Sequence, residues 1–182
     1  MSPSQSAAAS APGVEAAPAS AELVLESFLP YRLSVLSNRV SQAIARIYAE
    51  RFDLSVTEWR LMAVLGRYPG LTAGELVERT AMDKVAVSRA VAGLMASGRV
   101  ERGSDERDRR RVPLELSAAG RAVYAQVAPL ALEYERALLS GLDAAEYAQF
   151  DALLGRLLNA TAGAEDSLRS AALRATDAAR RG

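Results

Sequence analysis

Between residues 55 and 83 the chain spells out three helix starts, and these constrain its fold more than any other feature. Ser55-Val56-Thr57-Glu58 and Thr72-Ala73-Gly74-Glu75 both have the capping-box form. In such a box the first side chain accepts from a free helix N–H, and the acid reaches back to the first residue's own N–H. Asp83 is a good N-cap for a third start. Stops alternate with the starts: Tyr68-Pro69-Gly70 ends the first segment, Thr80-Ala81-Met82 separates the second from the third, and Gly98 closes the third. The pattern predicts a helix with Trp59, Leu61, Met62 and Leu65 inward, a short helix over 73–79, and a helix from Lys84 to Ser97. A short helix, a tight turn and a longer helix make a helix-turn-helix.

Beyond it, Arg99–Arg102 and Arg111–Leu116 flank a polar loop, Gly103–Arg110. Alternation on both sides of such a loop predicts a β-hairpin, or wing. Pro113 cannot donate to a ladder and is expected at an exposed edge. Upstream, Leu29, Leu33, Leu36, Val40, Ile44 and Ile47 recur every three or four residues, one face of a long helix over about 23–50. Downstream, Ser117 caps a helix from Ala118 to about Leu139, with a kink expected at Pro129. Asp143 and Glu146 open a further helix with Tyr147, Phe150, Leu153, Leu154, Leu157 and Leu158 on one side. Residues 161–182 read as a flexible or loosely helical tail. Residues 1–22, nearly all Ala, Ser, Pro and Gly, read as a disordered tail with neither the basic start nor the apolar run of a secretory signal. No stretch is long and apolar enough to span a membrane, and a cytoplasmic protein is expected. The fold class is mainly α with a small β-hairpin wing.

Composition removes much chemistry. The chain has no Cys and no His, so disulfides, thiolate nucleophiles, imidazole catalysis and Cys/His metal sites are excluded. No paired-carboxylate, phosphate-loop or nucleophile motif appears, and neither an enzyme nor a cofactor or metal is expected. With 22 basic and 22 acidic residues the net charge is zero. That balance is uneven along the chain. Residues 1–31 carry three acids and no base, whereas residues 84–120 carry eight basic residues against five acids. The positive excess lies in the third helix and the wing.

On a wheel of about 100° per residue, Val87, Ala90, Val91, Leu94 and Met95 share one side of the 84–97 helix. The other side carries Val85, Ala86, Ser88, Arg89, Ala92 and Gly93. Small residues with one Arg suit entry into a major groove. Arg89 can donate two hydrogen bonds to guanine, Ser88 suits either base type, and Val85 and Ala86 suit thymine methyls. Lys84 with the helix N-terminus suits a phosphate. An Ala-rich solvated helix would show the same pattern. In the loop, Arg107, Arg109, Arg110 and Arg111 stand among Asp105, Glu106 and Asp108. A solvated charged loop reads that way too, but an Arg-rich hairpin tip is also shaped for a narrow minor groove. Asp105 and Asp108 can aim the arginines by ion pairing.

These stretches, above all Asp105-Glu106-Arg107-Asp108-Arg109-Arg110 followed by Leu116-Ser117-Ala118-Ala119-Gly120, resemble the MarR (multiple antibiotic resistance regulator) family over about Leu29 to Leu158. The resemblance implies a winged helix-turn-helix DNA-binding domain at 55–117 and a helical dimerisation region from 23–54 and 118–160. It implies a homodimer on a pseudo-palindromic double-stranded DNA operator, commonly a repressor released by a small ligand. Arg107 would enter the minor groove, steadied by Asp105, while Ser88 and Arg89 read bases and Lys84, Val85, Arg109 and Arg110 add contacts. The protein would be nucleoid-associated when bound. Relatives of this kind often hold a small anionic or phenolic ligand, for which Arg32, Ser37 and Trp59 are the candidates here. Small-residue packing and a core tryptophan account for the same residues. A winged helix used as a protein-interaction module is the alternative function.

Overall fold

The structure is a computed structural model that describes residues 23–103 and 112–181. It contains α1 (Leu29–Phe52), α2 (Val56–Arg67), α3 (Ala73–Thr80), α4 (Lys84–Ala96), β1 (Val100–Arg102), β2 (Leu114–Leu116), α5 (Ala118–Leu139) and α6 (Ala144–Arg181). The described residues fall into two units that divide within α1, after Gln42.

In the first unit, a turn at 25–27 precedes α1, which starts at Leu29, beside the Pro30 near which the apolar period begins, and not as early as residue 23. Pro30 explains the difference. It fits a first helical turn but would clash with the carbonyl four residues back inside a longer helix. Leu29, Leu33 and Leu36 are exposed along this part of the helix.

In the second unit all three helix starts form as their sequences require. Glu58 N–H donates to Ser55 Oγ at 3.2 Å while Ser55 N–H donates to Glu58 Oε2 at 2.9 Å. Glu75 N–H and Thr72 Oγ1 (3.3 Å), with Thr72 N–H and Glu75 Oε2 (2.7 Å), repeat the arrangement at α3. Leu61, Met62, Leu65, Leu76, Val87 and Leu94 are buried together, with Val100, Leu114, Leu116 and Val127 closing the core from the hairpin and α5. Tyr48 and Trp59 join that core, and burial pushes the Tyr48 phenol above its ordinary range, with Arg60 acting in the opposite sense.

The hairpin is antiparallel, pairing Val100 with Leu116 and Arg102 with Leu114. Leu114 also bridges to Leu71, its N–H donating to the Leu71 carbonyl at 2.8 Å, so the segment before α3 extends the sheet. Pro113 is buried, not at an exposed edge. It sits just ahead of β2, where no ladder N–H is required of it, and its carbonyl accepts from Gly103 N–H at 2.8 Å.

One junction joins the end of α4, the hairpin, the start of α5 and the end of α1. Gly98 turns the chain at φ 68°, a conformation costly for a side-chain-bearing residue. Ser117 Oγ donates to the Gly98 carbonyl at 2.6 Å and accepts from Gly120 N–H at 3.0 Å. Ser117 N–H donates to the Arg99 carbonyl at 3.0 Å. The Arg99 guanidinium reaches the carbonyls of Phe52 and Asp53 at the end of α1. Those are among the carbonyls a helix end leaves unpaired. α5 passes so close that a Cβ on Gly120 would lie 2.0 Å from the Arg99 carbonyl oxygen.

α5 is one helix through Pro129, and α6 continues to Arg181. The latter corrects the loosely helical tail expected over 161–182. Residues 161–181 contain no proline and are rich in Ala, Arg and Leu, the strongest helix formers, so nothing stops a helix already under way. Among the described residues no helix is long and apolar enough to cross a membrane.

Gly120→Ala should be among the most damaging conservative changes, costing about 2–4 kcal/mol of unfolding free energy because backbone must move. Urea denaturation of the variant checks this; an unchanged midpoint would show that α5 does not need the close approach.

Candidate nucleic-acid interface

α4 owes its orientation to what it buries. Val87, Ala90 and Leu94 are buried and Val91 and Met95 half-buried, as the wheel predicts. That leaves Lys84, Val85, Ser88, Arg89 and Ala92 exposed, so the exposed face carries the proposed readers Ser88 and Arg89 with little surrounding bulk.

Two positions assigned to that face turn elsewhere. Ala86 and Gly93 are half-buried. A Cβ on Gly93 would lie 2.6 Å from Glu58 Oε1, the acid of the α2 capping box. The start of α2 lies beside Ala86, Arg89, Ala90 and Gly93 of α4, so Gly93 faces Glu58 rather than a groove. A glycine inside a strong helix pattern was the available signal. The same approach brings Ser55, Thr57 and Glu58 beside Arg89 around a shallow depression, a grouping that sequence spacing did not reveal.

The α4 N-terminus also differs from expectation. Asp83 Oδ1 accepts from Val85 N–H at 2.8 Å and from Ala86 N–H at 3.1 Å. The donors that would have met a phosphate are held by the protein's own carboxylate. The ammonium of exposed Lys84 stands apart from those donors.

The turn between α3 and α4 carries a further constraint. Ala81 caps α3 in the left-handed region, at φ 51° and ψ 33°. Helix-turn-helix turns often place glycine at such a point; here the backbone adopts the conformation without it, against the cost of the Cβ. Ala81→Gly should raise stability by up to about 1 kcal/mol, the relief exceeding the entropy that glycine loses. A thermal unfolding series compares the two, and a lowered Tm would mean that the alanine is not strained.

Of the remaining candidates, Asp105, Arg107, Arg109 and Arg110 lie outside the described residues. Arg32 and Ser37 are exposed on the first half of α1. Trp59 is a core residue. Its ring lies 5.7 Å from that of Tyr48 and 6.0 Å from that of Tyr124, and it is 8% exposed. It lies there because the α2 stripe that carries Leu61, Met62 and Leu65 turns it inward, as the spacing of those residues predicts.

Three helices, a recognition helix with a bare exposed side and a two-stranded hairpin define a winged helix-turn-helix protein. Residues 52–111 match the MarR family. The transcriptional regulator HosA of Escherichia coli O127:H6 is 28% identical over 118 residues, which is 65% of this chain and 87% of that protein. The crystal structure of a MarR/EmrR family transcriptional regulator from Acinetobacter sp. ADP1 superposes with a TM-score of 0.70 at 26% identity, over 75% of this chain and 96% of that one. The fold is also that of S. aureus MepR in its complex with DNA, with a TM-score of 0.65 at 22% identity, over 74% of this chain and 97% of that one. In sequence over residues 52–111 and in fold, the chain is thus similar to winged-helix transcriptional regulators of the MarR family.

Proposed function

We propose that the protein is a homodimeric, sequence-specific repressor that binds a pseudo-palindromic double-stranded DNA operator in the cytoplasm and leaves it when a small organic molecule binds. The observation that carries this reading is the exposed side of α4, where Ser88 and Arg89 stand among residues too small to block a groove. Arg89 reads guanine through paired donors, Ser88 and Val85 add base contacts, and Lys84 meets a phosphate. The wing supplies the second contact: Arg107 lies in the minor groove with Asp105 holding its direction, and Arg109 and Arg110 follow the backbone. That MepR has been solved on DNA with the same fold supports this use of the helix and hairpin.

Homodimer formation is supported by apolar side chains left open on the terminal helices. Leu29, Leu33 and Leu36 are exposed on α1, and Tyr147, Phe150 and Leu153 on α6. A monomer has no reason to keep such stripes in water. Two α4 helices about 34 Å apart would meet successive major grooves. The segments 23–54 and 118–160 form the dimerisation region in this reading, and 55–117 the DNA-binding domain. The effector is a small aromatic or phenolic acid; exposed Arg32 and Ser37 suit its carboxylate, whereas Trp59 acts as core.

Binding to an operator and to random DNA at several salt concentrations tests the reading. A specific regulator should prefer its operator by about a thousandfold or more and lose affinity steeply with salt. Equal affinity for both would leave a winged helix that serves as a protein-interaction module. Arg89→Ala should lose about 1–3 kcal/mol of discrimination at one base pair, read from a panel of operator variants; an unaltered preference removes it as a reader. Arg107→Ala should weaken operator binding about tenfold while leaving the melting temperature in place. Wild-type affinity in that variant would show that the wing tip stays out of the groove.

A further inference from the structure

With no Cys and no His in the chain, the thioether of methionine is the side chain most open to two-electron oxidation. The sequence holds four methionines. Met1 lies outside the described residues, and Met62 is fully buried in the core. Met82 and Met95 are half-buried, each packed against the core while part of it meets solvent. The one indole, Trp59, is enclosed at 8% exposure. Among the described residues, the thioethers that a small oxidant reaches are therefore those of Met82 and Met95.

Their places in the fold give these two sulfurs a consequence, because they bracket α4. Met82 stands immediately ahead of Asp83, whose Oδ1 starts the helix by accepting from Val85 N–H at 2.8 Å and Ala86 N–H at 3.1 Å. On its other side Ala81 is held left-handed at φ 51°, so the turn has little slack. Met95 lies in the last turn of α4, and its carbonyl accepts from Gly98 N–H at 3.0 Å where the chain leaves for β1. Sulfoxidation turns a flexible apolar side chain into a polar one. An S=O group is costly to keep against apolar neighbours without a hydrogen-bond donor. Apart from Tyr48 and Trp59, the buried core is made of Leu, Val, Ala and Met, whose side chains offer no donor. The oxidised side chain therefore has to leave the core for water, drawing the start or the last turn of α4 with it.

We propose that Met82 and Met95 form an oxidation site through which a peroxide loosens α4 and lowers its hold on DNA. The sulfur lone pair attacks one oxygen of the peroxide, and the S–O bond forms as the O–O bond breaks. With hydrogen peroxide, the displaced oxygen takes the proton of the transferred one and leaves as water. Sulfur loses two electrons and the peroxide gains them, so no further reactant is needed. Methionine sulfoxide reductases return the sulfoxide to the thioether, which makes the modification reversible. The inference rests on the reading of α4 as the DNA-binding helix and adds a chemical input to it.

The test treats the full chain with hydrogen peroxide and locates the added oxygen by peptide mass spectrometry. Met82 and Met95 should be oxidised while Met62 stays reduced. Operator affinity should fall about tenfold or more, and amide hydrogen exchange along α4 should quicken by a similar factor. The double variant Met82→Leu, Met95→Leu, close to the wild type in side-chain volume, should keep its operator affinity through the same treatment. Methionine sulfoxide reductases acting on both epimers should restore the oxidised wild type. Any of four results would overturn the inference: Met82 and Met95 left reduced, α4 exchange unchanged by oxidation, a double variant that loses affinity as the wild type does, or a loss that the reductases leave in place. A chain that never prefers an operator to random DNA would overturn the DNA reading alone, because exchange along α4 still reports the oxidation site.

Discussion

Two consecutive carbonyls, those of Gly98 and Arg99, are the point on which the winged domain turns. Ser117 takes both, one through its hydroxyl and one through its backbone N–H. Gly120 lets α5 come down onto the second with no atom between. The side chain of Arg99 then reaches in the opposite direction to cap the end of α1. The end of α4, both hairpin strands, the start of α5 and the end of α1 thus meet within a few residues. Each of these bonds also satisfies a backbone group that would otherwise be stranded at an element's end. This junction sets how β1 and β2 leave the end of α4.

A second constraint acts on the exposed side of α4. Residues there are small for more than one reason. Ser88 and Ala92 are exposed and leave room for a partner, but Gly93 is small because α2 presses its capping-box acid against the helix. The box that starts α2 therefore has two roles. It ends the loop after α1, and its Glu58 defines how near α2 lies to the helix that bears Arg89. Asp83 likewise stabilises α4 while occupying the donors that an anion would use. An anion at that end of α4 would then meet side-chain cations rather than free backbone donors.

The zero net charge also takes on a definite meaning in the fold. It sums an acidic N-terminal stretch and a basic helix-and-hairpin region, so overall neutrality says nothing against a polyanionic partner.

The sequence by itself determined the order of the elements, the three helix starts, the hairpin and the inward stripe of α4. These depend on local rules: which side chain can cap, where proline and glycine stop a helix, and the period at which apolar residues repeat. It also determined the exclusion of thiol and imidazole chemistry, which needs only a count. It misjudged the extent of α1 and α6, because their ends depend on Pro30 at one and on the lack of any stop signal at the other. Only the tertiary structure decided that Gly93 serves α2, that Trp59 is enclosed by Tyr48 and Tyr124, that Pro113 is buried, and that Gly120 seats on Arg99. Each of those facts depends on which surfaces from distant parts of the chain come into contact. Local periodicity marks a residue as inward or outward on its own element, but it carries no information about the neighbour that it meets there.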